Sequence, residues 1–465
     1  MASLHPRKFE PNELVWTPNE ASGAQTPPYA LATVISLQGT KHATLKVGKT
    51  TLDRVELHRL MPANVKKEVG KADNTEMRHL NEATVLHNVA HRYTAHSDGA
   101  GIYTVTGHIL IAVNPYRALP AIYDEKTHKR YLARPIGAEP PHIFAVADRM
   151  YRLLLATGDA QVIIVSGPSG SGKTETCKLV LKHLAYVTKH LSGLAAAQSS
   201  VELGTHLVHT NPLLEAFGNA ETNLNRNSSR FGKFTQVHVS RSGAILGASI
   251  QTYLLESTRV VSHAVANCNY HVLYQMLAGL GAAERVKLGL GEPSRFAYLR
   301  DTGGAVTKRR ARDDAEFRAV CEVLRSLGVD PELQAALWSA LAGVLHLGNL
   351  EFDEGAADDV VVRGGTEKIA QLAGLLQCNR ELLLQCLTSR TLRARGQEMQ
   401  VPLKPRDAAI TRDALAKAIY AKLFSWVVQR VNASMLGASA DAEALAEAGT
   451  LGILDIYGFE NFEHN

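Results

Sequence analysis

The sequence lacks the features that mark membrane, secreted and nucleic-acid-binding proteins. It has no apolar run near the roughly 18 residues that a membrane-spanning helix needs, and its start, MASLHPRKFEPNELVW, has no apolar signal-peptide core. The five cysteines are odd in number and form no C-x-x-C, so we expect neither a disulfide framework nor a structural zinc site. A formal charge of +5 over 465 residues is no nucleic-acid signature. These absences predict a cytoplasmic protein with no transmembrane segment and no nucleic-acid partner.

The composition that remains is that of a folded chain. Hydrophobic residues make up 45% and charged residues 20% of the 465 residues, which is ample for a core. At about 150 residues per domain, the length predicts about three domains' worth of chain or one large α/β body.

The N-terminal part, residues 10–62, differs in pattern from the rest. Apolar and polar residues alternate with period two over residues 29–37, 44–47 and 52–57, with glycine or proline between the stretches. This pattern predicts a small antiparallel barrel or meander, and a loosely structured arm is the alternative. From residue 63 to residue 465, helical and strand patterns alternate as in an α/β domain, with a hairpin over residues 234–253.

A glycine-rich segment predicts a phosphate-binding loop. The apolar run 162–165 before it is typical of a parallel strand buried on both faces, and residues 177–191 after it carry a helical apolar stripe. The segment matches G-x-x-x-x-G-K-[ST], in which backbone N–H groups bind phosphate oxygens, the lysine reaches the β- and γ-phosphates and the hydroxyl ligates Mg²⁺. The predicted nucleotide-binding residues are Gly167, Ser169, Gly170, Ser171, Gly172, Lys173, Thr174 and Glu175.

Two further segments could complete such a site. The apolar stretch Thr450-Leu451-Gly452-Ile453-Leu454 ends at Asp455, which suits an acid that holds the metal at the tip of a strand beside the phosphate loop. Gly458 and Glu460 follow it. The segment 225–233 gathers amide and hydroxyl side chains around Arg230, which suits a loop that senses phosphate and metal. An ordinary strand with a turn Asp and an ordinary polar loop are the alternatives.

Three motifs in this order resemble the P-loop, switch I and switch II of the myosin motor domain: GPSGSGKTET, NPLLEAFGNAETNLNRNSSRFGKF and LDIYGFE. The segments NPYRALPAIY, PPHIFAVADRMY and HLGNLEF also look like myosin, and the resemblance runs from about Leu80 to the last residue. Residues 10–62 look like the small SH3-like domain that precedes many myosin motors. The resemblance implies a P-loop NTPase-type α/β fold over residues 63–465, with a mixed central sheet flanked by helices, preceded by an SH3-like β-barrel.

The resemblance also implies roles at the phosphate end of the site. Lys173 and Thr174 would hold phosphates and Mg²⁺, and Asn225 would contact phosphate oxygens. Ser229 would ligate the metal, and Asp455 would bind it through water.

Four residues acquire catalytic roles from the same resemblance. Ser228 would lie next to the attacking water, and Gly458 would donate its N–H to the γ-phosphate. Arg230 would pair with Glu460 and close a gate behind the water.

The adenine side is implied by a looser match. Asn114, Pro115 and Tyr123 resemble the motif N-P-x(6)-Y, with a spacing one residue longer, as in class V-like and plant-type (class XI) myosins. Ala118 stands where some myosins have an arginine. In the P-loop, Pro168 replaces the family's usual acid and removes one N–H, which we expect the site to tolerate because the donors that face phosphate lie later in the loop.

The implied ligands are ATP and Mg²⁺, and the implied partner is the actin filament, with an incomplete interface in this chain. Light chains or calmodulin would bind only if a lever follows downstream. Because the sequence stops five residues after Glu460, we expect a truncated motor fragment at the cytoskeleton. A non-motile ATP-binding or scaffold protein derived from a truncated myosin is the alternative. An unrelated P-loop kinase or transporter subunit would leave the other segments unexplained.

Overall fold

The computed structural model of the chain describes residues 8–19, 26–96, 98–191, 209–264, 267–300, 310–355, 359–394, 397–435 and 442–456. In chain order, the strands β1 to β17 are Leu14–Pro18, Tyr29–Gln38, His42–Val47, Thr50–Glu56, Met61–Pro62, Tyr103–Thr106, Ile109–Ala112, Gln161–Val165, Asn219–Ala220, Ser228–Ser229, Gly232–Val239, Ile245–Tyr253, Phe352–Glu354, Val360–Val362, Ser389–Ala394, Gln397–Pro402 and Gly449–Asp455. The α-helices α1 to α13 are Glu82–Ala95, Glu125–Tyr131, Ile143–Thr157, Lys173–Leu191, Asn211–Gly218, His271–Gly279, Ala282–Lys287, Arg310–Ser326, Pro331–Gly348, Glu367–Leu376, Arg380–Thr388, Pro405–Met435 and Ala442–Ala446.

The chain divides into two compact units, residues 1–149 and 150–465. The first unit opens with an antiparallel sheet in the order β4-β3-β2-β1-β5. Alternate residues of these strands point to one side and build a small core with Val15, Val34 and Leu45 at its centre. The predicted antiparallel meander is confirmed over these strands. Its assignment as an SH3-like barrel and the domain boundary at residue 62 remain predictions.

The remainder of the first unit is organised around α1 by polar contacts. The helix begins with a capping box in which Asn81 and Thr84 exchange side-chain and backbone hydrogen bonds. Further along, Arg92 is buried, and its guanidinium donates to the Thr104 hydroxyl and the Tyr103 carbonyl. These bonds attach α1 to β6 and compensate for burying the charge.

The second unit is built on a mixed sheet in the order β12-β11-β17-β8. The predicted hairpin is β11 and β12, which pair antiparallel. Strand β17 pairs antiparallel with β11 and parallel with β8, with Asp455 opposite Val165. The carboxyl ends of β8 and β17 therefore meet at one edge of the sheet, where parallel strands of α/β proteins usually present their functional residues.

Two sequence expectations about burial need correction. Strand β8 is not buried on both faces, because Val162 and Ile164 are 52% and 71% exposed. A short continuous apolar run can belong to a strand that is covered on one face or on both faces. The sequence pattern alone therefore does not distinguish the two cases. In α4, Cys177, Val180, Leu181, Leu184 and Val187 are buried as expected, whereas Leu191 at the last residue of the helix is exposed.

The 31-residue helix α12 is the main support of the second unit. It contacts α9, α5 and β12. The Tyr420 ring is fully buried, stacks on Tyr270 with centroids 4.8 Å apart, and donates its hydroxyl to the Phe217 carbonyl at 2.8 Å. This bond fixes α5, the helix that precedes the polar segment 225–233.

Candidate functional site

The glycine-rich loop lies between the end of β8 at Val165 and the start of α4 at Lys173. Gly172 has φ +92°, a left-handed conformation that side chains disfavour. At Gly167 a Cβ atom would lie 2.6 Å from the Ser171 Oγ, so only glycine fits without a shift. Sequence and structure thus agree on a strand, a tight glycine loop and a helix N-terminus, which is the backbone arrangement that binds phosphate.

The lysine of the loop folds over the loop itself. Lys173 Nζ donates to the carbonyls of Gly167 and Pro168 at 2.8 and 2.9 Å. Proline lacks an N–H but keeps its carbonyl, so the exchange of the usual acid for Pro168 leaves an acceptor in place for this bond. The ammonium group is therefore held at the mouth of the loop.

The central contact of the site joins residues 174 and 455. Thr174 Oγ1 donates to Asp455 Oδ2 at 2.9 Å, and Asp455 is only 5% exposed. The prediction that Asp455 lies at the tip of a strand beside the P-loop strand is confirmed by the pairing of β17 with β8. A half-buried hydroxyl and a buried carboxylate therefore lie next to the loop, both with the hard oxygen atoms that Mg²⁺ prefers.

The neighbourhood of Asp455 also contains a thiol and a lysine. Cys177 lies one turn along α4 from the loop, and burial, aided by the negative charge of Asp455, raises the pKa of its thiol to about 12. The thiol therefore stays protonated and unreactive at neutral pH. Lys233 lies opposite Asp455 in the register of β11 and β17.

In the described part of the chain, no three His, Cys, Asp or Glu side chains cluster so as to hold a metal. Mg²⁺ does not require such a cluster, because it is commonly bound by one or two carboxylates together with water and substrate phosphates. The Thr174 hydroxyl and the Asp455 carboxylate fit that mode of binding.

The polar segment reaches the P-loop through Ser228. This side chain is 2% exposed, and its Oγ lies 2.9 Å from the Ser169 Oγ. Arg230 donates to the same Ser228 oxygen at 3.1 Å. Strand β10, which holds Ser228 and Ser229, pairs with β9, and Ser229 Oγ donates to Asn219 Oδ1 at 3.1 Å. The structure thus brings Ser228 into contact with the P-loop, and Ser229 follows Ser228 in the same short strand.

Arg230 has a partner that the sequence reasoning missed. Its Nε lies 2.6 Å from Glu256 Oε2, and Arg259 Nε reaches the same oxygen at 2.8 Å. Burial alone would raise the pKa of Glu256, but hydrogen bonds and positive charge from Arg259 and Arg230 outweigh it, so the pKa is lowered. One carboxylate therefore accepts hydrogen bonds from two buried guanidinium groups. The only local sequence signal is the Glu256/Arg259 spacing of three residues.

The predicted partner of Arg230, Glu460, and the predicted γ-phosphate donor, Gly458, lie outside the described residues. Asn225 is described, and it stabilises a turn: its Oδ1 accepts from the Asn227 N–H at 3.0 Å and its own N–H donates to Thr222 Oγ1 at 3.1 Å. These contacts orient the start of the segment 225–233. A phosphate contact by Asn225 remains a prediction.

Glu175 takes part in a chain of charges that links α4 to the polar segment. Lys178 Nζ lies 2.8 Å from Glu175 Oε1 and 3.2 Å from Glu215 Oε1. Burial would lower the pKa of Lys178, but the two carboxylates outweigh it and raise the pKa. Glu215 Oε2 in turn accepts from Asn227 Nδ2 at 2.9 Å.

The predicted adenine-side residues lie in the first unit. Asn114 Oδ1 accepts from the Tyr116 N–H at 2.9 Å, and Tyr116 has φ +50°. This side-chain turn follows directly on the hairpin of β6 and β7 and presents Pro115 at its centre. The hydroxyl oxygens of Tyr123 and Tyr103 lie 2.8 Å apart, within hydrogen-bond distance. Burial raises the pKa of Tyr123.

A buried histidine supports the loop that carries Tyr123. His142 is 5% exposed, its Nε2 contacts the Ile122 carbonyl at 3.0 Å and its Nδ1 accepts from the Phe144 N–H at 3.1 Å. Burial lowers its pKa to about 3, so the ring is neutral and carries its proton on Nε2. The ring also packs at 5.6 Å from the Tyr123 ring.

The helices of the described residues include no candidate of the length and apolar character needed to cross a membrane.

Comparison with known proteins shows the family of the chain. The family model for the myosin head (motor domain) matches residues 71–465. Similar proteins include Myosin-8 and Myosin-6 of Arabidopsis thaliana, each 39% identical, over 399 and 429 residues or 85% and 91% of this chain. Protein OPAQUE1 of Zea mays is 40% identical over 418 residues, or 88% of this chain. The matches cover 26%, 27% and 26% of these relatives, so the chain spans about a quarter of their length. The chain belongs to the myosin head (motor domain) family, with class XI-like plant myosins among its relatives.

Proposed function

We propose that this chain binds and hydrolyses Mg-ATP, and that in the whole protein this reaction drives movement on actin filaments. The observation that carries the proposal is the hydrogen bond between Thr174 and Asp455. It joins the first residues of the P-loop helix to the end of a strand 281 positions later in the chain. The two side chains that a magnesium nucleotide site needs are thereby brought together.

Each part of the site has a task in this proposal. The backbone N–H groups of residues 169–174 and Lys173 bind the phosphates, while Thr174, Ser229 and Asp455 bind Mg²⁺ directly or through water. When bound, Mg²⁺ would neutralise charge on the β- and γ-phosphates. Phosphoryl transfer has a loose transition state, so these residues contribute position and charge rather than a strong base.

Ser228 and Arg230 form the switch in this account. Ser228 contacts Ser169 of the loop and accepts a hydrogen bond from Arg230. A displacement of the segment 228–230 would therefore change the contacts of the phosphate-binding loop. We propose that Arg230 pairs with Glu460 when the attacking water is enclosed, and that Gly458 then donates to the γ-phosphate. A buried guanidinium that loses a carboxylate partner is strongly destabilised, which makes such a pair a good two-state latch.

The remaining assignments follow from family membership. Asn114, Pro115 and Tyr123 would hold adenine, Asn225 would contact phosphate, and residues 10–62 would form an SH3-like domain before the motor domain. Actin filaments would be the partner of the whole protein at the cytoskeleton, and light chains or calmodulin would bind a downstream lever.

Phosphate release tests the proposal. We expect the 465-residue chain to release phosphate from ATP in the presence of Mg²⁺, and Lys173→Ala to abolish release by removing the ammonium group. Binding without hydrolysis would instead support the alternative of a non-motile ATP-binding protein. Gliding of actin filaments on the full-length protein tests the movement part separately, and filaments that bind without gliding would contradict it.

A further inference from the structure

A polar cleft of about 300 Å³ lies beside the polar segment, among helices α5, α6 and α8. Its polar lining residues are Glu215, Asn227, His271, Gln275, Arg312 and Glu316, and apolar atoms of Pro212, Ala216, Ala319 and Val320 complete the wall. The lining includes no residue of the P-loop, Ser228, Ser229 or Asp455. The cleft is thus a separate space within the second unit, large enough for a small organic ligand.

The first sign of a ligand site is Gln275. This residue is 3% exposed, and its Nε2 donates to Glu316 Oε2 at 2.9 Å. Its Oε1 is buried and has no hydrogen-bond partner within the described parts of the chain. A buried amide oxygen without a donor destabilises a folded protein, and such atoms are rare enough that each calls for a physical explanation.

The second sign is Arg312, which approaches the other oxygen of the Glu316 carboxylate. Arg312 Nε is also buried without a hydrogen-bond partner among the described residues. It lies 3.6 Å from Glu316 Oε1, within ion-pair range but too far for a hydrogen bond, while the other end of the guanidinium reaches Glu221 Oε2 at 3.1 Å. One unsatisfied acceptor and one unsatisfied donor therefore flank Glu316.

The charges of the cleft are largely compensated. Glu215 is paired with Lys178, and Arg312 lies between Glu221 and Glu316. A charged ligand would have to displace one of these ion pairs or leave a new charge unpaired, which is costly in a partly buried place. A neutral ligand with an N–H next to a C=O would offer a donor to Gln275 Oε1 and an acceptor to Arg312 Nε without displacing an ion pair.

We propose that this cleft binds small neutral molecules of the amide or lactam class. The ligand N–H donates to Gln275 Oε1, and the ligand carbonyl accepts from Arg312 Nε. The aliphatic walls contributed by Pro212, Ala319 and Val320 leave room for a flat apolar ring. The lining of this cleft contains no residue of the P-loop, although Asn227 places the cleft against the segment 225–233.

Ligand-observed NMR with benzamide on the full 465-residue chain tests the proposal, with methyl benzoate and benzoate as comparators. Methyl benzoate lacks the N–H and benzoate is an anion near Glu215 and Glu316. We expect benzamide to bind at least about 10-fold more tightly than either, the effect of losing about 1.4 kcal/mol. The binding should persist in the presence of saturating Mg-ATP.

Variants make the test specific. Gln275→Met preserves the length of the side chain and removes the acceptor, so benzamide should bind about 10-fold more weakly, whereas Gln251→Met on the exposed surface should leave the affinity unchanged. Arg312→Lys keeps the charge facing Glu221, removes Nε, and gives a second readout should Gln275→Met not fold. Equal affinities for the three probes, or unchanged benzamide binding in both cleft variants, would overturn the proposal. So would a crystal structure of the soaked protein with only water on Gln275 Oε1.

Discussion

Replacement of Glu256 by glutamine should destabilise the protein far more than a typical change of a half-exposed acid. The carboxylate accepts from Arg230 and Arg259, which are only 6% and 4% exposed. Glutamine keeps the shape but carries no negative charge to pair with the two guanidinium groups. Loss of one partner from a buried ion pair costs about 3–5 kcal/mol, and since the Glu256 side chain is 29% exposed we take the lower end, about 3 kcal/mol.

Thermal unfolding measures this cost. In a chain of this size, 3 kcal/mol corresponds to a fall in Tm of roughly 3–5 °C, because the entropy of unfolding is about 2.1 cal/mol/K per residue. Glu398→Gln is the matched control, because its ion pair with Arg393 is exposed at both partners, 58% and 80%, and such pairs contribute at most about 1 kcal/mol. Equal Tm values for the two variants would refute the reasoning.

The pH dependence of the same difference gives a second check. The folded-state pKa of Glu256 is lowered from its usual 4.5, so its contribution is fully present above that value and is lost as the pH falls through the lowered one. The Tm gap between wild type and Glu256→Gln should therefore be constant from pH 7 to about pH 5 and should shrink at lower pH. A gap that does not change in acid would mean that the charge of Glu256 is not what stabilises the cluster.

The remaining predictions concern nucleotide, acid and thiol chemistry. Lys173→Ala should abolish nucleotide binding, whereas Glu460→Ala should spare binding and block hydrolysis; equal loss of binding in both would contradict their separate roles. His142 has a pKa of about 3 in the folded protein, so unfolding takes up a proton at pH values between about 3 and 6.5. As the pH falls through this range, the free energy of unfolding measured in urea should decrease by about 1.4 kcal/mol per pH unit more in wild type than in His142→Asn. Parallel slopes would contradict this. Alkylation followed by mass spectrometry should modify the exposed Cys378 and Cys386 before the buried Cys177 and Cys268; early modification of Cys177 would contradict its raised pKa.

The sequence was most informative where function depends on neighbouring residues. The P-loop is contiguous, and glycine, lysine and threonine positions specify its backbone directly, so its geometry could be predicted. The place of Asp455 could be predicted as well, because parallel strands align their carboxyl ends. Both predictions rest on local order or on a general rule of sheets.

The features that the sequence reasoning missed depend on tertiary contacts. Glu256 meets Arg230 only because the chain returns along β12, 26 positions later, and no local pattern specifies that return. The exposure of Val162 and Ile164 depends on which elements cover the sheet. Gln275 lies in a largely apolar helix, where sequence alone does not reveal an unsatisfied oxygen.

Binding of a fluorescent ATP analogue with Mg²⁺ and with EDTA is the most direct test of the magnesium nucleotide site. Asp455→Asn keeps an oxygen for the Thr174 hydroxyl but removes the charge that holds the metal, and Asp159→Asn at an exposed loop is the control. We predict that wild type and Asp159→Asn bind more tightly with Mg²⁺ than with EDTA, and that Asp455→Asn loses at least about 10-fold of that advantage, or about 1.4 kcal/mol. The same Mg²⁺ dependence in all three proteins would contradict the site described here.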